Sequence, residues 1–279
     1  MQTRAPKWLV MPVLLVTGIT LLAPLGLLAR YSLNEFRPAE FMVPGLTLGN
    51  YFNALGDEYY RNILANTILM SVAITLISLV VGYPMALFTA RSRRFKKILL
   101  LCVILPLFIG NAVRAAGWMI AFGEVGLINT LLQRLGIIEA PVQIMYTWVA
   151  VLIGAAAVNT PFVVLTIQSV LEGISASIEE ASASLGAIPA ATFFKVTLPL
   201  SLPGVQAAAA LSFILAMNSF ATPVLLGGPS FRMMAPAIAE EIIAKNNWPS
   251  GAALAFILVT TTLALNALIH LAARGRRGT

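Results

Sequence analysis

The sequence predicts an all-α integral membrane protein. It should have six transmembrane helices, both termini in the cytoplasm, and a short extra helix in the cytoplasmic connection between spans four and five. Three observations predict this. The 279 residues are 59% hydrophobic and 10% charged, against roughly 25% charge in a soluble domain. That leaves too little polar surface to cover a globule, and a bilayer is the matching solvent. Several apolar runs reach the ~20 residues needed to cross the hydrocarbon core. Positive charge is also divided unequally between alternate connections.

The first span, Trp8–Ala29, follows Arg4 and Lys7 as a signal peptide would. Its apolar stretch exceeds the ~7–15 residues of such a peptide, and LLARYS is a poor cleavage site, so it reads as a retained helix. The second, Ile63–Ala90, runs into RSRRFKK, a basic turn suited to anionic headgroups. Phe95 is the only aromatic among those charges, whereas a nucleic-acid arm would interleave aromatics. The remaining spans are Ile98–Phe122, Trp148–Val170, Leu202–Leu226 and Gly251–Ala273, all within one transmembrane domain covering 1–279. Connections 30–62, 123–147 and 227–250 carry eight of the eleven carboxylates and predict a sizeable ordered outer face.

With the N-terminus inside, the cytoplasmic set is Arg4, Lys7, Arg91, Arg93, Arg94, Lys96, Lys97, Lys195, Arg274, Arg276 and Arg277. The outer set is Arg30, Arg37, Arg61, Arg134, Arg232 and Lys245, and Arg114 lies within a span. Eleven against six places both termini in the cytoplasm. The pI near 9.9 is therefore topological. Cys102 and His270 are each alone, which excludes an intramolecular disulfide, a cysteine metal cluster and a multi-histidine zinc site. GGPS lacks the Lys and the strand–helix setting of a phosphate-binding loop.

Residues 172–200, between spans four and five, break the apolar pattern. SIEEASASLG combines helix formers with early Glu and a terminal Gly, where a left-handed C-cap belongs. Ala181, Ser182, Ala183 and Ser184 keep that helix narrow, and Glu179 and Glu180 offer anchoring charges. AIPAATFFKVTLPL restarts with Pro189 near a first-turn position, and Pro199 and Pro203 are expected to separate it from span five. The segment is shaped to dock into a groove.

Glu180-Ala181-Ser182, three residues, Gly186, nine residues, Val196, one residue, then Leu198-Pro199 resembles the EAA motif of ABC-importer permeases. The departures are Ser at 182 and Val at 196. LTLGNYFNAL, VGYPMALFTAR, ILPLFIGNAVRAAGWM and NNWPSGAAL extend the likeness over nearly the whole chain. They look like the spermidine/putrescine-type subfamily of the type I fold, which also handles opines and phosphonates. The resemblance implies a permease subunit of the bacterial inner membrane that is not itself an enzyme and holds no cofactor. Its implied partners are two cytoplasmic ATPase subunits that bind ATP and Mg, a second permease that is a different chain, and a periplasmic solute-binding protein. Residues 172–200 would be the coupling loop, with Glu179, Glu180, Ala181, Ser182, Gly186, Leu198 and Pro199 at the joint.

Polar residues within spans face a cavity or a partner helix. The candidate translocation path is Asn111, Arg114 and Trp118 in span three, Asn159 and Thr160 before Pro161, and Asn218, Ser219 and Thr222 before Pro223. Asn66 and Thr67 are further candidates. Arg114, about 25 Å along the helix from Lys97, either lines that path or snorkels to the interface. Asn159 either meets solute or satisfies backbone freed by Pro161. No carboxylate lies within any span, although Glu124, Glu240 and Glu241 outside could meet a cation. The resemblance favours a polyamine-like solute; Arg114 would suit a zwitterion or anion. A secondary transporter would want intramembrane acidic residues or His, or a visible repeat, and an intramembrane enzyme a convergent nucleophile and base. The spans hold no acidic residue, show no repeat and bring together no such catalytic set; the lone His270 sits near the end of the sixth.

Overall fold

The computed structural model describes residues 11–92 and 94–275. Arg4, Lys7, Trp8, Arg93, Arg276 and Arg277, and the side chains of His270 and Arg274, lie outside the described residues. In chain order the helices are α1 (Met11–Ser32), α2 (Gly49–Gly56), α3 (Glu58–Arg91), α4 (Lys96–Ile104), α5 (Asn111–Phe122), α6 (Leu127–Arg134) and α7 (Trp148–Glu172). They continue as α8 (Ala176–Ser184), α9 (Pro189–Thr192), α10 (Leu198–Met217), α11 (Met234–Ala239) and α12 (Trp248–Gly275). The described fold is α-helical apart from one hairpin after α1, β1 (Glu35–Arg37) and β2 (Phe41–Val43). Six helical stretches are long and apolar enough to cross a membrane: Met11–Ser32, Glu58–Arg91, Asn111–Arg134, Trp148–Glu172, Pro189–Met217 and Trp248–Ile269.

Two compact units result. The first comprises residues 11–62 with Ala237–Thr260. Here the antiparallel hairpin pairs Phe36 with Met42, and side-chain amides hold its base. Asn50 Nδ2 donates to the carbonyls of Ser32 and Asn34, both at 2.8 Å, and Tyr51 OH donates to Ser32 Oγ at 2.7 Å. Glu241, 3% exposed, accepts from Tyr60 OH and from Lys245 Nζ, both at 2.6 Å. The bond to Glu241 raises the Lys245 pKa above its ordinary value, outweighing the lowering by burial. A raised cationic pKa stabilises below the unfolded value and is lost only on alkaline titration, so this pair is closed at neutral pH. Within the chain, the cation that Glu241 meets is Lys245.

The second unit comprises Ile63–Pro236 with residues 261–275. Its centre is α7, where Val151, Ala155, Val163, Val164, Ile167 and Leu171 are buried. Met70 and Ile74 of α3, Phe122 of α5 and Ala216 of α10 form one apolar cluster with α7. Ala86 of α3, Val103 of α4 and Ala208 of α10 form another with it. Lipid is as apolar as these side chains, so close packing and polar ties must hold such helices together. At the α7–α10 seam a Cβ on Gly204 would stand 2.8 Å from Val170 Cβ. Tyr83 OH and Ser201 Oγ lie 2.8 Å apart between α3 and α10. Thr67, read as a path candidate, is fully buried and accepts from the Met234 amide at 2.8 Å.

Two expected spans are broken. Between Ile98 and Phe122 the helix tightens to a 3₁₀ turn at Leu105–Phe108 and restarts at Asn111. Pro106 has no N–H to donate and disfavours helix just before it, and Gly110 is the N-cap of α5. The helix expected to begin at Leu202 instead starts at Pro189 and ends at Met217. Pro199 does not separate the short helix from the span, because a π-turn at Phe193–Thr197 precedes it. The Leu198 amide bonds back to Phe193 O, and the wider turn relieves the clash a proline ring makes with the carbonyl four residues back.

Candidate functional site

The loop after α7 is built by local chemistry. Ser175 caps α8, its Oγ accepting from the Ser177 amide at 3.3 Å. Gly186 ends α8 with φ +83°, donating to Ala183 O at 2.9 Å while the Ala187 amide donates to Ser182 O at 3.2 Å. That bond pair is the Schellman closure, which needs a left-handed residue. A Cβ at Gly186 would have nothing within 4 Å, so the requirement is conformational alone. Gly186→Ala is expected to cost about 1 kcal/mol locally, measured as faster amide hydrogen exchange at Gly186 and Ala187. Pro189 then opens α9 at its first turn, and Ser182 Oγ lies 3.0 Å from Thr192 Oγ1. The serine that stands where the motif has alanine thus ties the two short helices together.

The two adjacent carboxylates have different surroundings. Glu180 is exposed, as are Ala181 and Pro199, whereas Ser182 and Leu198 are half-buried. Leu185 and Ile188 project beside them, 89% and 67% exposed. Glu179 turns inward instead. Its Oε1 accepts from Arg91 Nη2 and from Thr197 Oγ1 at 2.9 Å. Glu179 is thus engaged within the chain, whereas Glu180 stands exposed. Nearby, Glu172 closes the end of α7 on Lys96 Nζ at 2.8 Å and accepts from Gln168 Nε2 at 2.7 Å.

A second place lies among helix ends in the same unit. A cavity of about 550 Å³ is lined by Asn111, Arg114, Asn159, Asn218, Ser219 and Thr222, six of the eight path candidates, together with Val158, Phe162, Ile214 and Phe220. Trp118 and Thr160 do not line it. Trp118 stacks on Phe122 with ring centroids 5.0 Å apart, and Thr160 Oγ1 bonds back to Ala156 O at 2.7 Å. Polarity gathers here because three broken elements end here: the 3₁₀ turn, the start of α5 and the end of α10.

Much of that polarity is already engaged. Arg114 Nη2 donates to Pro106 O at 2.7 Å and Ile109 O at 2.8 Å, binding the two sides of the break between α4 and α5. Asn218 Nδ2 donates to Ile214 O at 2.9 Å and caps α10. Asn159, 3% exposed, donates to Ser212 O at 3.0 Å and to Ser212 Oγ at 3.1 Å. It therefore ties α7 to α10 rather than answering the carbonyl freed by Pro161. Arg114 is the one charged group in the lining, and the lining has no carboxylate.

Arg91 and Thr197 escaped sequence reasoning as partners of Glu179. Arg91 reads as one charge in a basic run, and no local pattern joins residues 88 positions apart. The apolar walls Val158 and Phe162 escaped because they look like any other residues of a span.

Residues 78–278 match the family described as binding-protein-dependent transport system inner membrane component. The spermidine/putrescine transport system permease protein PotB of Haemophilus influenzae is 34% identical over 226 residues, covering 81% of this chain and 78% of that protein. PotB of Escherichia coli K12 is 33% identical over 233 residues, covering 83% of this chain and 84% of that one. A solved bacterial ABC transporter involved in the import of the acidic polysaccharide alginate has a chain of the same fold. It aligns with a TM-score of 0.76 at 18% identity and covers 96% of each chain.

Proposed function

This chain belongs to the binding-protein-dependent transport system inner membrane components, multi-pass ABC-importer permeases that do not themselves catalyse hydrolysis, and from that premise we propose how its parts divide the work. The whole chain acts as one permease domain, with both termini and α8 on the cytoplasmic side. It forms half of a translocation path, and a second, different permease chain supplies the other half. An external binding protein delivers the solute. Two ATPase subunits, holding ATP and Mg, seat α8 as the coupling helix of the EAA loop. Their closure moves the helices between inward-open and outward-open arrangements.

One observation carries this reading. The loop with the EAA spacing leaves Glu180 and Ala181 exposed on a short helix with no buried residue, and Leu185 and Ile188 exposed in the turn that follows it. An apolar tip with an adjacent carboxylate, left uncovered by its own chain, fits a groove on a soluble partner. The cavity among α5, α7 and α10 is the half-path, with Asn111, Ser219 and Asn218 at its wall and Arg114 and Asn159 shaping it.

A polyamine-like solute is favoured by the likeness to the PotB proteins. The cavity lining itself favours a second reading. It holds Arg114 and no carboxylate, which suits a zwitterionic or anionic solute such as an opine or phosphonate. Mild detergent extraction from native membranes, followed by mass spectrometry, is expected to recover an ATPase and a second permease with this chain. Screening the associated binding protein against a polyamine, an opine and a phosphonate then separates the two solute readings. Recovery of the chain alone, even after crosslinking, would overturn the proposed assembly.

A further inference from the structure

We infer that Arg91 is a positioning residue for energy coupling: through the Glu179 carboxylate it ties α8 to α3 and to the π-turn that leads α10. This rests on the reading of α8 as the coupling helix. The starting point is how little else holds α8. None of its residues is buried, so apolar burial, the usual source of helix attachment, contributes little. Between it and the spans lies a cavity of about 410 Å³ bounded by Leu87, Arg91, Glu179, Thr192, Phe193 and Thr197. The bond between Ser182 and Thr192 reaches only α9, the neighbouring piece of the same loop.

The Glu179 link spans that gap. Its carboxylate takes Arg91 Nη2 from the last turn of α3 and Thr197 Oγ1 from the π-turn at 2.9 Å. Arg91 Nη1 also donates to Ile174 O at 3.3 Å, gripping the start of the loop. The pair is largely sheltered, with side chains 29% and 28% exposed, so water and salt screen it less than a surface pair. Arg91 Nε is buried without a partner. An arginine serving only as a headgroup anchor would avoid that cost by turning its guanidinium to water. Lys96, the nearby alternative cation, is paired with Glu172.

The consequence is mechanical. A displacement of α8 reaches two helices through one carboxylate, and the wide π-turn is a place where the helix can shift register. Removing the pair should loosen the relation between ATP hydrolysis and transport.

The test uses the complete transporter, with its ATPases, second permease and binding protein, in liposomes. It reads solute imported per ATP hydrolysed. Arg91→Ala and Glu179→Gln are each expected to lower that ratio about tenfold, within the usual range of coupling between sites. Arg91→Lys and the reversed pair Arg91→Glu with Glu179→Arg should recover part of it. A purely structural role would lower assembled complex and leave the ratio per assembled complex unchanged. An unchanged ratio in both single variants, or a reversed pair no better than either reversal alone, overturns the inference. A cysteine at Leu185, crosslinked in the otherwise native complex, distinguishes this from failure of the underlying reading. Capture of the ATPase keeps α8 as the coupling helix whatever Arg91 does, and no capture removes that assignment.

Discussion

Glu180→Lys is expected to lower solute import by about tenfold or more, with the protein inserted in the membrane at normal abundance. Glu180 is exposed on α8, and exposed positions away from caps and networks usually change stability by within about 0.5 kcal/mol. Folding therefore should not register the substitution. An interface would, because reversal leaves the partner's cation facing another cation as both lose water. Transport, immunoblotting of membranes and co-purification of the ATPase measured together provide the check. Normal abundance with normal transport would remove the docking assignment. Glu179→Lys is a poorer probe, since it sets a cation against Arg91 and disturbs the loop before any partner arrives.

Gly204→Val should damage the chain itself. A Cβ at this position would lie 2.8 Å from Val170 Cβ and 2.9 Å from Val170 Cγ2, inside the closest approach carbon atoms tolerate. Both residues sit on helices, so relief requires the α7–α10 seam to open. Overpacking of this kind costs about 1–3 kcal/mol. Within a bilayer, little hydrophobic force opposes separation of the helices. The expected result is a clear fall in membrane abundance and in the thermal stability of the detergent-extracted protein. Val170→Gly removes all three close atoms and should restore part of both, with about 1 kcal/mol withheld for glycine within a helix. Normal stability of Gly204→Val alone would show that the seam is looser than this geometry requires.

These expectations draw on different depths of information. The turn at Gly186 was legible because its determinants are contiguous: helix formers, a terminal glycine, then Pro189. The apolar spans were legible for a related reason, since the cost of burying backbone in lipid imposes length and hydropathy on each one separately. Six of the eight proposed path residues line one cavity because polar residues inside spans cluster at helix breaks, and Asn, Ser, Thr and Pro mark those breaks in the chain.

The misreadings have equally specific causes. The break at Pro106–Gly110 vanished into an apolar run because Leu and Ile on either side outweigh one Pro and one Gly in any average. Pro199 read as a separator, although a π-turn carries the helix past it. Glu179 read like its neighbour Glu180, because one step along a short helix changes nothing in composition. It changes the facing direction by about 100°, and that rotation turns Glu179 towards Arg91 and leaves Glu180 in solvent.

From the sequence alone came the class of solvent, the approximate spans, the turn at Gly186 and the family. These properties are either local or summed along the chain. Tertiary structure alone decided which polar groups remain open for work. Asn159 is committed to Ser212, Glu241 to Tyr60 and Lys245, and Glu179 to Arg91 and Thr197, whereas Arg114 binds the broken third span through Nη2 and keeps Nε and Nη1 without a partner. A hydrogen bond depends on distances of a few ångströms in space, and hydropathy carries no record of which distant residue will be brought that close.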